Sequence, residues 1–168
     1  TNRERMCALS ARVPFGTRWL LGLTAFVSDD GGATWARPLP SFPAGLVPDE
    51  VFSASVAWDD TAGRFLAIVA FEREPSLLVM TSPDCVTWEA LGPLTAPSSV
   101  GASGNVIVSY AIVGPGAEHE VVVLPEEVER GTTSPIFVAR SADGTVDAFV
   151  WSEAFLPPLD GGLQAAAA

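Results

Sequence analysis

Short apolar runs, each closed by a cluster of Gly, Pro, Asp or Ser, follow one another along the chain. No window shows the 3.6-residue apolar period of an amphipathic helix, and 14 Pro with 15 Gly suit a succession of short strands and turns. The middle is the most regular part. Residues 51–58 and 64–71 read as strands around a turn at 59–63, and the second of them, Arg-Phe-Leu-Ala-Ile-Val-Ala-Phe, is apolar almost without a break. A polar loop at 72–75 leads to a strand at 76–82, a turn, and a fourth strand at 86–91. The same order fits residues 105–113, a turn at 114–116, 119–124, a longer acidic loop at 125–134, then 135–141 and 148–152. Before residue 40 the pattern predicts strands at 6–13, 18–28 and 34–39, with no innermost strand ahead of them. Strand, turn, strand, loop, strand, turn, strand is the order of a four-stranded antiparallel blade.

The turn between the third and fourth strands repeats its residues. Ser28, Asp30, Gly32, Thr34 and Trp35 form Ser-x-Asp-x-Gly-x-Thr-Trp. Ser82, Asp84, Thr87 and Trp88 repeat it one residue shorter and without the Gly, and Ser141, Asp143 and Gly144 repeat it with the Trp delayed to Trp151. Such a turn carries its own fastenings: the carboxylate accepts backbone N–H groups just ahead of it, Gly permits a positive φ, and Trp packs beneath. The Asp positions recur at intervals of 54 and 59 residues. Repeats of that order indicate stacked supersecondary units, and propeller blades run roughly 40 to 50 residues. The reading is therefore all-β, in antiparallel β-propeller blades: an incomplete unit at 1–45, a second at 46–97, a third at 98–158 and a tail at 159–168. That is about two and three-quarter blades, where closed propellers have roughly 4 to 8. An open stack exposes strand edges and an apolar flank, so the chain is expected to belong to a larger propeller or to be completed by partner chains. A homodimer closing a ring of about six blades is one such completion.

Composition narrows the partners. A formal net charge of −11 argues against nucleic acid and against an anionic membrane surface. All nine basic residues are Arg. Arg can grip a carboxylate bidentately, but a Lys-free chain reads as coding bias. No apolar stretch reaches the roughly 18 residues of a membrane span. Residues 19–27 imitate a signal-peptide core but lead straight into the first Asp turn, so they read as a strand. Cys7 and Cys85 are too few for a disulfide framework and read as buried unpaired thiols in preference to a single bridge.

Together the three turns and the strands around them, over residues 18–156, resemble the Asp-box (BNR) repeats of sialidase-like β-propellers. The first turn matches that pattern fully, the second lacks its Gly, and the third is stretched before its Trp. The resemblance implies that the boxes lie between the third and fourth strands of each blade, on the rim away from a catalytic mouth. Asp30, Asp84 and Asp143 would tie turns, and Trp35, Trp88 and Trp151 would pack between blades. It also implies an extracellular or periplasmic setting.

An enzyme of that kind needs an Arg cluster for a substrate carboxylate, a Tyr nucleophile paired with Glu, and an Asp acid/base. Tyr110, the single Tyr, is the only tyrosyl candidate, yet its alternating apolar surroundings predict a core or channel-lining residue. Arg12-Val13-Pro14 echoes the family's Arg-Ile-Pro motif but lies only 14 positions before Ser28, too close for the strands that normally intervene. Arg64 and Arg140 read as solvated or blade-edge residues. His119, the single His, stands between Glu118 and Glu120 and reads as part of a solvated turn. Glu126, Glu127 and Glu129 lack the alternating ligand spacing of a dedicated Ca²⁺ site. Gly101-Ala102-Ser103-Gly104 precedes a strand where a phosphate loop would open a helix. No Gly-x-Ser-x-Gly nucleophile elbow occurs.

No cofactor or metal is called for by these residues. The leading expectation is a non-catalytic Asp-box propeller module that binds protein or glycan. The alternatives are a fragment of an exo-sialidase-like glycoside hydrolase, and an assembly subunit that docks through open blade edges.

Overall fold

A computed structural model describes residues 5–15, 18–72, 76–97, 105–114, 117–125 and 134–156. Every strand pair in it is antiparallel. Strands β1 (Met6–Phe15) and β2 (Arg18–Ser28) form a two-stranded sheet. A 3-10 turn at Pro48–Glu50 precedes a sheet ordered β3 (Val51–Asp59), β4 (Arg64–Phe71), β5 (Ser76–Ser82) and β6 (Glu89–Thr95). The last sheet follows the same order: β7 (Val106–Val113), β8 (Glu118–Pro125), β9 (Ser134–Ser141) and β10 (Val150–Leu156).

The sheets stack face to face, and β4 shows how. Its Leu66, Ile68 and Ala70 pack with Val108, Tyr110, Val121 and Val123 of the last sheet. Its Phe65, Ala67 and Val69 pack with Leu23, Ala25 and Val27 of the first. A strand buried on both faces needs apolar residues at every position, which is why residues 64–71 carry no polar alternation. The innermost strands also meet directly. The Val108 N–H donates to Ser53 Oγ at 3.1 Å and the Tyr110 N–H to Ser55 Oγ at 3.0 Å, so hydroxyls on β3 satisfy the backbone of β7.

Pairing registers place corresponding residues in the three sheets. Met6 faces Ser28, Phe65 faces Ser82, and His119 faces Ser141. Each of these serines opens one of the Ser-x-Asp turns, so the three turns share one rim.

Four expectations are corrected. Residues 34–39 form no strand: only Ala36 bridges back, to Val27, because Pro38 and Pro40 have no N–H to extend the ladder. The fourth strand of the middle unit is β6 at Glu89–Thr95, since Val86, Thr87 and Trp88 spend their N–H groups elsewhere. His119 is no solvated turn residue. It lies on β8, 3 % exposed, because period-2 alternation turns Glu118 and Glu120 outward and the imidazole inward with Val121. Cys7 and Cys85 are joined in a disulfide with Cα atoms 5.7 Å apart. Their distance of 78 residues in sequence hides the fact that stacking brings β1 over the second Ser-x-Asp turn.

Candidate functional site

Two groups of polar side chains stand out on this rim, the three turns and a buried pair beneath the third. In the first turn Asp30 accepts the Thr34 N–H at 2.8 Å, the Thr34 hydroxyl at 2.7 Å and the Ser28 hydroxyl at 2.7 Å. Ser28 Oγ in turn accepts the Gly32 N–H at 2.8 Å. Asp84 repeats the arrangement with the N–H groups of Val86 (2.9 Å) and Thr87 (2.7 Å), the Thr87 hydroxyl and the Ser82 hydroxyl. Asp143 binds the Thr145 N–H and hydroxyl and the Ser141 hydroxyl, while Ser141 Oγ accepts the Gly144 N–H at 3.0 Å.

The residue after each Asp is left-handed: Gly31 (φ 68°), Cys85 (φ 63°) and Gly144 (φ 70°). Cys85 thus fills the role of the Gly missing from the second turn. Thr145 is a turn residue that the sequence reading passed over, although Ser141-Ala142-Asp143-Gly144-Thr145 displays it directly. The Trp residues diverge. Trp35 and Trp88 both donate Nε1–H to the turn's own backbone, to Gly32 O and Cys85 O, each at 3.1 Å. Trp88 is 3 % exposed between two sheets, whereas Trp35 is 45 % exposed beside Met6, on the flank that no described sheet covers. Trp151 is a β10 residue opposite Ala139, partly buried against the core between the second and third sheets.

These hydrogen bonds go to charged carboxylates, which lowers the pKa of all three. The Thr34 hydroxyl and N–H and the Ser28 hydroxyl hold Asp30 down to about 2. Asp143 is lowered chiefly by Thr145, and Asp84 is lowered by its backbone and hydroxyl donors against a desolvation that raises it. A folded-state pKa below the unfolded value gives stability that is present above about pH 4 and is lost as pH falls through the folded pKa. Thermal midpoints are therefore expected to drop between roughly pH 4 and pH 2. Asp30→Asn should make that drop shallower. A midpoint unchanged across that range would refute the assignment.

The second group is a buried pair. The Tyr110 hydroxyl and His119 Nδ1 share a hydrogen bond of 2.5 Å, with Tyr110 6 % and His119 3 % exposed. Burial, and next the Asp59 carboxylate, push the Tyr110 phenol above its ordinary pKa, while Arg64 pulls the other way. Asp59, 4 % exposed, is itself engaged: one oxygen accepts the N–H groups of Thr61 (2.9 Å) and Ala62 (3.0 Å). A phenol held neutral inside a core is a poor nucleophile. Tyr110→Phe would leave His119 Nδ1 buried without its partner, at a cost of about 1–3 kcal/mol. The thermal midpoint is expected to fall by about 4–8 °C, and an unchanged midpoint would show that the pair contributes nothing.

Of the remaining candidates, Arg64 alone comes near enough to Tyr110 to act on its phenol, and no second Arg joins it among the described residues. Arg64, first residue of β4 opposite Asp59, lies at the Ser-x-Asp rim with Nε buried and lacking a hydrogen-bond partner. Arg12 is on β1 opposite Leu21, well along the strand from Met6 and so away from that rim. Its side chain lies outside the described residues. Arg140 pairs with Glu120 at 2.8 Å on an exposed face. Glu126, Glu127, Glu129 and the stretch 101–104 lie outside the described residues. A cavity of about 290 Å³ opens between residues 43–46 and β4–β6, lined by Leu46, Phe71, Leu78 and Pro93 among others. None of its lining residues is titratable, so it offers no acid or base.

No protein-family model matches this sequence, and no curated protein matches it. Among solved structures, the Bombyx mori GH32 beta-fructofuranosidase BmSUC1 matches with a TM-score of 0.57 at 15 % identity. The match covers 94 % of this chain and 36 % of that enzyme, a five-bladed β-propeller, so the chain spans about a third of its length. No described helix is long and apolar enough to cross a membrane. The alignment takes in nearly the whole chain, and with the antiparallel four-stranded sheets it shows that the fold is that of β-propeller blades.

Proposed function

We propose that this chain is a non-catalytic section of an Asp-box β-propeller, a scaffold that carries loops to a protein or glycan ligand. The observation that carries this reading is the state of Tyr110. The one tyrosine that could serve as a glycosidic nucleophile is buried, hydrogen-bonded to His119, and held neutral. The hydrogen bonds of Ser28–Thr34, Ser82–Thr87 and Ser141–Thr145 support structural roles for the three boxes. The sheet boundaries support units near 1–45, 46–97 and 98–158. The Cys7–Cys85 disulfide supports an oxidising, extracellular or periplasmic setting.

A second reading has its own observation. The chain matches about a third of a glycosidase, so it would be a fragment of a glycoside hydrolase whose reacting groups lie elsewhere in a longer polypeptide. Hydrolysis separates the two. The natural polypeptide containing this stretch is expected to cleave neither a fluorogenic sialoside nor sucrose. Turnover of either would favour the fragment reading, and turnover abolished by Tyr110→Phe with the fold retained would place the chemistry on this chain.

A further inference from the structure

The strongest remaining feature is the outward face of the β7–β10 sheet. Register makes it a copy of a face whose partner is visible. Ser55 pairs with Ile68 and Ile68 with Val79 in the middle sheet; Ser109 pairs with Val122 and Val122 with Val138 in the last. In the middle sheet Ile68 and Val79 are buried under the last sheet, at 0 % and 2 % exposed, and Ser55 Oγ accepts the Tyr110 N–H. In the last sheet Ser109 is exposed, and Val122 and Val138 are only partly buried. The flank therefore keeps an apolar patch and one of the two capping serines, Ser109 at the position of Ser55, while Ile107 stands at the position of Ser53. One difference marks its rim, where Glu120 and Arg140 form an ion pair in place of Leu66 and Thr81.

We propose that this face is an interface for a further four-stranded blade of the same polypeptide, with Ser109 Oγ accepting a backbone N–H from that blade's innermost strand. It deepens the propeller reading above and rests on it. The face of the first sheet that a second copy would offer fits less well. That sheet is two strands wide and carries Ser10 and Thr24 at the register positions where the last sheet carries Val123 and Phe137. A complete blade supplies apolar residues there, as Val69 and Leu78 do in the middle sheet.

Maleimide labelling of Val122→Cys and Ser109→Cys in the natural polypeptide tests this, with Ile68→Cys as the control inside the visible interface. Cys7 and Cys85 are disulfide-bonded and do not react. Both flank probes are expected to label at least about 100-fold more slowly in the monomeric natural polypeptide than in the excised 168-residue chain. Equal rates in the two would overturn the proposal. Protection that depends on dimer formation and vanishes on dilution would overturn it in favour of a second copy. Fast labelling of the flank with Ile68→Cys protected would leave the blade stack standing; fast labelling of all three would bring down the stack itself. Should Ile68→Cys fail to fold, amide exchange across β4 supplies the control, and Ser109→Cys, a small change at an exposed site, still reads the flank.

Discussion

Reduction of the Cys7–Cys85 bond, or Cys7→Ser, is expected to destabilise the fold by about 4 kcal/mol. The bond closes a loop of 78 residues, and the chain-entropy argument gives long loops the larger effect. That loop takes in nearly all of the first sheet, the first turn, the crossing segment and three of the four strands of the middle sheet, so reduction removes the covalent tie between the first sheet and the second. Two local features are unaffected by the bond itself. Cys85 holds φ at 63°, a conformation that costs a non-Gly residue about 1–2 kcal/mol. The segment after the first turn also grips the second: Ser41 N–H donates to Val86 O, and Trp88 N–H to Ser41 O, each at 2.9 Å. For a chain of this size the midpoint should fall by about 10 °C or more on adding reductant. A fall of under about 2 °C would mean that packing alone fixes the first sheet.

Gly144→Val is the second large effect. Gly144 has φ at 70°, where a β-branched residue is strained. A Cβ added there would stand 2.7 Å from His119 Cε1 and 2.8 Å from Nδ1. That ring cannot retreat cheaply, because it is buried under the turn and its Nδ1 is bonded to Tyr110. Strain and overpacking together are expected to cost about 2–5 kcal/mol. Gly63 provides the comparison, having a similar φ of 64° with nothing within 4 Å of the added Cβ. Gly63→Val should cost clearly less, by urea unfolding of the two variants side by side. Equal costs would show that the contact with His119 adds nothing to the backbone strain.

The parts of the fold that were legible in the chain are those where one physical demand repeats. Double-sided burial wrote β4 as an unbroken apolar run, and the turn chemistry of Ser28–Thr34 recurs in Ser82–Thr87 closely enough to mark where β2 and β5 end. What stayed hidden depends on tertiary neighbours. His119 looks solvated between two glutamates until strand alternation and the overlying Gly144 are known. Trp35 carries the same local signature as Trp88, yet one is exposed and the other buried, because burial depends on whether a sheet stands on that side. Pro38 and Pro40 were a readable stop signal for the ladder beyond Ala36. The buried Tyr110–His119 pair depends on the register of the β7–β8 hairpin, which makes the two residues diagonal neighbours on one face, and the sequence alone left that register open.

The most direct test of the account is the solution mass of the 168-residue chain, by light scattering behind a sizing column with a hydrophobic dye added in parallel. Propeller blades with an open apolar flank should self-associate with concentration, or remain monomeric and bind the dye. A monodisperse monomer that binds no dye would contradict the open-blade account.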